Sequence, residues 1–74
     1  MDVFSEAVDR YFSPGTDARI LSAILRDIEK TVIMKALERT CGNRVAAAKM
    51  IGVHRNTLSS KIRKYHIDVG GFKR

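Results

Sequence analysis

The sequence has few of the residues that build disulfide-linked, metal-binding or membrane-spanning proteins. Its single cysteine, Cys41, cannot form an internal disulfide, which fits a reducing compartment. No apolar run approaches the ~20 residues that a membrane-spanning helix needs, and no secretory signal pattern follows Met1. We therefore expect a cytoplasmic protein, associated with the nucleoid if it binds DNA, and no membrane partner.

Candidate catalytic and metal-ligating residues are equally scarce. Cys41, His54 and His66 lie in separate segments without the spacing of a zinc site. We expect no enzyme activity, no catalytic residue, no metal and no cofactor. Aromatic residues make up only 7% of the chain, and Tyr65 and Phe72 do not form a platform for stacking unpaired bases, which argues against RNA binding.

The one proline, Pro14, separates two predicted helices. Apolar residues recur at helical spacing from Val3 to Phe12, so we expect a short first helix capped by Asp2. Residues 13–16 should end it, because proline disfavours helical geometry in the residue before it and the following glycine favours a turn. Thr16 or Asp17 can then cap a second helix over about residues 17–41.

This second helix carries an apolar stripe that is wider than the short helices of the same chain can cover. An ordinary core helix explains part of the stripe, and a partner chain explains the rest. A 74-residue monomer is also only marginally stable, and dimerisation buries more surface without adding chain. We expect a homodimer, with these dimerisation residues: Ile20, Leu21, Ile24, Leu25, Ile28 and Val32.

Residues 42–66 have the plan of a helix-turn-helix. Gly42 and Asn43 suit the end of one helix and the cap of the next, which should run over about residues 44–51 with Val45, Ala48 and Ile51 inward. Gly52 supplies the turn. A fourth helix over about residues 55–65 then places Leu58, Ile62 and Tyr65 on its core side and mostly polar residues on the other.

Charge is concentrated in the same part of the chain. Residues 1–40 hold six Lys/Arg against seven Asp/Glu, a net of −1, whereas residues 41–74 hold eight against one, a net of +7. A generic solvated basic surface is the alternative. Overlap of this charge with a helix-turn-helix pattern favours DNA, because such a motif has to neutralise phosphates.

The first turn of such a recognition helix contacts base edges. Arg55 opens it, and a guanidinium can bond O6 and N7 of guanine together. His54 and Asn56 flank it and can contact a base or a phosphate, whereas the Thr57 hydroxyl should contact a backbone phosphate. Lys61, Arg63 and Lys64 should lie at phosphates further along. Asn43 and Arg44 add a phosphate site at the preceding helix N-terminus. Alternatives remain open: Asn43 can act as a cap alone, and Thr57 can bond its own helix. His54 occupies the N-cap position of its helix, where Asn, Ser or Asp is preferred, and this unfavourable choice is an argument for a DNA contact at that position.

Taken together, Gly42-Asn43, Ala47-Ala48, Gly52 and Arg55-Asn56-Thr57-Leu58 resemble the Fis-type helix-turn-helix family. That family includes the C-terminal DNA-binding domains of NtrC-type, sigma-54-dependent bacterial enhancer-binding activators. The resemblance, over about residues 20–66, implies an all-α, four-helix Fis-like subunit in an intertwined homodimer that binds double-stranded DNA sequence-specifically. It also implies DNA contacts for the matching positions Asn43, Arg55, Thr57, Lys61, Arg63 and Lys64.

The sequence departs from the family at three places. His54 stands where the factor for inversion stimulation, a member of this family, has Asn; Ser59-Ser60 replaces a more basic pair; and His66 replaces a glycine common at the helix end. These departures leave phosphate contacts in mid-helix open, and they predict either strain at residue 66 or a longer helix end. We expect segments of 1–41 for dimerisation, 42–66 for the helix-turn-helix and 67–74 as a flexible tail.

Two branches of the family fit. The segment from Glu6 to Phe12 before a Pro-Gly break looks like the lead-in of an NtrC-type terminal domain, in which case an ATPase domain and sigma-54 RNA polymerase would be partners of the full protein. A stand-alone Fis-like nucleoid protein that bends DNA is the alternative. A protein dimerisation module without DNA binding is a rival of another class.

Overall fold

The computed structural model describes residues 3–12 and 19–73, and these form four α-helices and a short 3-10 helix. The α-helices are α1 (Val3–Asp9), α2 (Ile20–Arg39), α3 (Arg44–Ile51) and α4 (Arg55–Lys64), and the 3-10 helix covers Val69–Phe72. That part of the chain contains no strand. The predicted all-α, four-helix architecture is confirmed, whereas the predicted breaker at 13–16 and the caps Asp2, Thr16 and Asp17 lie outside the described residues.

The long helix α2 starts later than predicted, at Ile20, and its N-cap residue Arg19 makes no side-chain capping bond. It ends at Arg39, and the hydroxyl of the C-cap residue Thr40 donates to the Ala36 carbonyl at 2.8 Å. Cys41 and Gly42 then both take left-handed backbone angles, with φ of 52° and 83°. The Gly42 amide donates to the Leu37 carbonyl at 2.8 Å, so this corner satisfies the end of α2 and turns the chain into α3.

The core lies where α2, α3 and α4 meet. Its buried side chains come from the C-terminal half of α2, the middle of α3, one side of α4 and the segment after it: Ile33, Ala36, Leu37, Ala47, Ala48, Leu58, Ile62, Tyr65, Ile67 and Val69. The alanines allow α3 to pack closely against α2 and α4. This arrangement fixes the direction in which α4 presents its remaining side chains.

Two expectations about packing are wrong. Val45 is 46% exposed rather than inward, because the inner face of α3 runs through Ala47, Ala48 and Ile51 and leaves Val45 on its outer side. The segment after residue 66 is also not a loose tail. Ile67 and Val69 are buried in the core and Phe72 packs against it.

Local hydrogen bonds order this C-terminal segment. His66 has a left-handed φ of 54°, which redirects the chain, and the Ile67 amide donates to the Ile62 carbonyl at 3.0 Å. The Asp68 carboxylate then caps the 3-10 helix by accepting from the Gly70 amide at 3.0 Å. The apolar residues at 67, 69 and 72 explain the difference from the prediction, since Gly70-Gly71 alone suggested a frayed end.

Helix α1 contributes nothing to the core, since none of its residues is buried. The Tyr11 hydroxyl, just beyond it, donates to the Asp27 carboxylate of α2 at 2.7 Å, and that carboxylate raises the pKa of Tyr11. Val3, Phe4 and Phe12 are exposed. Among the described helices, none has the length and apolar character that a membrane crossing requires.

Candidate nucleic-acid interface

The turn between α3 and α4 holds the two helices at a fixed angle. Gly52 closes α3 with a left-handed φ of 79°, and the Val53 amide donates to the Ala48 carbonyl at 3.0 Å. Leu58 and Ile62 of α4, with Tyr65 just after it, anchor one side of that helix in the core. The predicted helix-turn-helix is therefore formed, and its bounds match the prediction to within one residue.

The opposite side of α4 is polar, basic and exposed. Asn56, Ser60 and Arg63 follow one another at spacings of four and three residues, and Thr57 and Lys64 lie beside them. All five are exposed, as is Arg55 in the first turn. We call these six residues the α4 polar face. It carries three cationic side chains and no acidic one, so its charge suits a polyanion.

Lys64 is held over an aromatic ring at one end of this face. Its Nζ lies 5.5 Å from the centroid of the Tyr65 ring, within the range of a cation–π interaction. The ring is itself buried in the core, so it gives the long lysine side chain a fixed support. The ammonium nevertheless remains exposed.

Both helices of the motif begin with a side-chain cap. Asn43 Oδ1 accepts from the Ala46 amide at 3.1 Å, and His54 Nδ1 accepts from the Asn56 amide at 3.1 Å. The predicted cap at Asn43 is thus confirmed, and His54 also caps its helix although the sequence marks it as an unfavourable residue for that position. Because Nδ1 of His54 accepts a hydrogen bond, the proton of the neutral ring sits on Nε2, which remains available as a donor. Arg44 follows Asn43 at the exposed start of α3.

Lys61 differs from the other predicted contact residues because it is already paired. Its Nζ lies 2.7 Å from Oε1 of Glu29 on α2, and the Tyr65 hydroxyl donates to the same oxygen at 2.5 Å. We call Glu29, Lys61 and Tyr65 the carboxylate cluster. These two hydrogen bonds lower the pKa of Glu29, and the bonds to Glu29 raise the pKa values of Lys61 and Tyr65. Lys61 is therefore paired within the subunit, and its predicted contact with phosphate stays a prediction.

Sequence reasoning missed Glu29 altogether and treated Tyr65 only as a core residue. The sequence held one weak indication of a role for Glu29, because this charged residue directly follows Ile28 within the apolar part of α2. Lys61 and Tyr65, one helical turn apart, can both reach a single acceptor. Nothing in the sequence, however, indicates that α2 crosses α4 at that point.

The predicted dimerisation residues lie on the part of α2 that the other helices leave open. Leu21, Leu25, Ile28 and Val32 are exposed, Leu21 to 70%, and Ile20 and Ile24 are partly buried. A groove of about 380 Å³ separates this part of α2 from the turn of the motif. Leu25, Ile28 and Val32 line its α2 side, and Val53 and Leu58 belong to its other wall.

Within residues 3–12 and 19–73, no group of three or more histidine, cysteine or acidic residues is arranged to hold a metal ion. Cys41 is exposed at the corner after α2. The α4 polar face and the helix start at Asn43 and Arg44 carry most of the exposed positive charge of the motif.

Comparison with known proteins agrees with this geometry. The model of the family described as "Bacterial regulatory protein, Fis family" matches residues 24–65, from the second turn of α2 to the residue after α4. The chain is 37% identical to the DNA-binding transcriptional regulator NtrC of Azospirillum brasilense, in an alignment that covers 88% of this chain and 15% of that protein. No solved structure matches the chain significantly.

Two further relatives differ greatly in length. The chain is 33% identical to the DNA-binding protein Fis of Proteus mirabilis, covering 86% of this chain and 68% of that protein. It is 50% identical to the transcriptional regulatory protein ZraR of Salmonella typhimurium over 51% of this chain and 9% of that protein. The chain thus spans a small part of the NtrC and ZraR proteins and about two thirds of Fis.

Proposed function

The chain belongs to the Fis family of bacterial regulatory proteins, and from this premise we propose that it binds double-stranded DNA as part of a transcriptional regulator. The observation that carries the proposal is the exposed, wholly non-acidic α4 polar face, presented by a helix whose other side is anchored in the core. A major groove about 12 Å wide admits such a helix.

The first turn of α4 contacts base edges in this proposal. Arg55 is exposed there and offers a guanidinium that can bond O6 and N7 of one guanine, a pairing worth about 1–3 kcal/mol of discrimination. Asn56 and Thr57 follow on the same exposed side. His54 contributes its Nε2 donor while Nδ1 caps the helix. Arg55, Asn56 and His54 form the proposed base-reading set, and the Thr57 hydroxyl supplies a phosphate contact that positions this turn.

Phosphate contacts fix the protein on the duplex without reading its sequence. Arg63 and Lys64 at the far end of α4 carry the charge for one such contact region. The start of α3 supplies a second, with the Arg44 side chain and the free amides of a helix N-terminus that Asn43 caps. Lys61 is a separate case, because Glu29 already pairs with it.

The functional unit in this proposal is a homodimer. The exposed apolar side chains of Leu21, Leu25, Ile28 and Val32 lie along one helix, where water contact is unfavourable and a second copy would remove it. Ile20 and Ile24 extend the same surface. A symmetric pair of subunits then presents two α4 helices to successive major grooves, the geometry that helix-turn-helix dimers require.

The larger context follows from the relatives. We favour the DNA-binding segment of an NtrC-type activator, supported by the relatives NtrC and ZraR, of which the chain covers 15% and 9%. In that case an ATPase domain and sigma-54 RNA polymerase act with the full protein, which works in the bacterial cytoplasm at the nucleoid. A small Fis-like DNA-bending protein is the second candidate, supported by 68% coverage of Fis.

A comparison of Arg55→Ala with Lys64→Ala tests the DNA-binding proposal. Against a set of duplexes enriched for binding, Arg55→Ala should relax the preference for guanine at one position per half-site. Lys64→Ala should weaken binding to all sequences alike and reduce the slope of log affinity against log salt by about 0.9 per subunit. The folded fraction of each variant is checked by circular dichroism.

Two results would refute the proposal in different ways. Binding that does not fall with rising salt would exclude phosphate contacts and favour a dimerisation module without DNA binding. Equal effects of both variants on selected and random duplexes would show that Arg55 does not read a base.

A further inference from the structure

We propose that Glu29 is a positioning residue that lowers the affinity for DNA and its salt dependence, because it holds the Lys61 ammonium against α2 and withholds it from the DNA backbone. This inference rests on the proposed function and concerns the same site. It assigns a role in DNA binding to an acidic residue of the neutral half of the chain, far from the motif in sequence.

The position of Lys61 on α4 gives it two possible partners. It lies four residues after Thr57 and three before Lys64, both on the α4 polar face. It also lies three residues after Leu58 and four before Tyr65, both in the core. Lys61 therefore stands at the border of the polar face, and its flexible four-carbon side chain can extend to either side.

In the folded chain Lys61 pairs with Glu29. The ammonium lies 2.7 Å from Oε1, and the Tyr65 hydroxyl at 2.5 Å from the same oxygen keeps the carboxylate directed at α4. Both partners of the ion pair are partly shielded from solvent, with side-chain exposures of 31% for Lys61 and 39% for Glu29. A carboxylate fixed by two donors is better ordered than one in an isolated surface pair.

The consequence for DNA binding is electrostatic. A lysine that contacts a phosphate releases counterions, which strengthens binding to every sequence alike. A lysine neutralised by an internal carboxylate contributes no such contact. Glu29 therefore lowers the affinity for specific and for random duplexes by the same factor and makes both less dependent on salt, while the contribution of Arg55 and its neighbours to sequence preference is unchanged.

The test measures the salt dependence of binding to a random-sequence duplex by fluorescence anisotropy. Glu29→Gln removes the charge that holds Lys61, so the slope should steepen by about 0.9 per bound subunit. Between 50 and 200 mM salt, the affinity of this variant relative to the unaltered chain should then change by about 3.5-fold. Lys61→Gln should leave the slope unchanged, whereas Lys64→Gln should flatten it by about 0.9.

Two controls separate this role from a general loss of negative charge or of structure. Glu38→Gln removes one exposed carboxylate of the same helix and should leave the slope unchanged. The double variant Glu29→Gln/Lys61→Gln should return to the slope of the unaltered chain, because no ammonium is left to release. A purely structural tie between α2 and α4 would change the melting temperature without changing these slopes.

Each outcome decides the inference. It is overturned if Glu29→Gln behaves like Glu38→Gln, or if Lys61→Gln flattens the slope as much as Lys64→Gln does. Should Glu29→Gln fail to fold, the comparison of the two lysine variants decides alone. If binding by the unaltered chain does not depend on salt, the proposed function itself is overturned. Failure of the inference about Glu29 and failure of the proposed function can therefore be told apart.

Discussion

Substitution of Gly42 by alanine should destabilise the fold much more than the same change at Gly52, although both glycines have left-handed backbone angles. Their φ values are 83° and 79°, so the backbone strain that a Cβ introduces is the same at the two sites. They differ in their surroundings. A Cβ at Gly52 would have no atom within 4 Å, whereas one at Gly42 would lie 2.8 Å from Cγ of Lys73 and 3.3 Å from the carbonyl oxygen of Val69.

The magnitudes follow from these contacts. Left-handed geometry costs an alanine about 1–2 kcal/mol, partly offset by about 0.4–1 kcal/mol because alanine restricts the unfolded chain more than glycine does. Gly52→Ala should thus lower the free energy of unfolding by about 1 kcal/mol. Gly42→Ala adds the displacement of the packed C-terminal segment, and overpacking of this kind costs about 1–3 kcal/mol more.

Thermal unfolding followed by far-ultraviolet circular dichroism measures the difference. In a domain of this size each kcal/mol shifts the melting temperature by about 4–8 °C, so the two variants should melt at clearly different temperatures. Lys73→Ala in the Gly42→Ala background removes the closest side-chain atom and should recover part of the loss. Equal melting temperatures for Gly42→Ala and Gly52→Ala would refute the docking of the C-terminal segment on this corner.

Three further outcomes are expected. Ile28→Asp should convert the proposed dimer to a monomer in sedimentation equilibrium, whereas Met50→Asp should not. Both side chains are apolar and about half exposed, at 52% and 54%, but only Ile28 lies on the proposed dimer surface. A dimer that survives Ile28→Asp would contradict this. Asn43→Ala should reduce the free energy of unfolding by about 0.5–2 kcal/mol through loss of the α3 cap, and Asn43→Asp, which can still cap, is the control. An unchanged urea midpoint for Asn43→Ala would contradict this role of the cap. The stability that Glu29 confers should be present above the ordinary glutamate pKa of 4.5 and disappear as the pH falls through its lowered folded-state pKa. The melting temperatures of the unaltered chain and Glu29→Gln should therefore converge in acid. A constant difference between them would contradict a stabilising role of the Glu29 carboxylate.

The helix-turn-helix could be predicted closely because its signals are local. Gly42 and Gly52 mark the left-handed ends of two helices, Asn43 caps the next one, and Leu58 and Ile62 fix which side of α4 faces inward. Each of these features depends on residues within one or two turns. The bounds of α3 and α4 and the exposed set on α4 were accordingly predictable from spacing alone.

Features that depend on distant segments could not be predicted in the same way. The pairing of Glu29 with Lys61 joins residues 32 positions apart, and its geometry follows from how α2 crosses α4. The C-terminal segment looked loose because of Gly70-Gly71, yet Ile67 and Val69 enter a core that α2, α3 and α4 create together. Tertiary packing decides both, and periodicity within one helix carries no information about it.

The central claim is that the polar side of α4 docks on duplex DNA, and backbone amide chemical shifts measured during a duplex titration test it most directly. The largest changes in amide chemical shift should fall at residues 43–44 and 54–64, and these changes should shrink when salt is raised. The exposed apolar part of α2, including Leu21 and Ile28, should change little. Shifts concentrated on that part of α2, with α4 unaffected, would contradict the account.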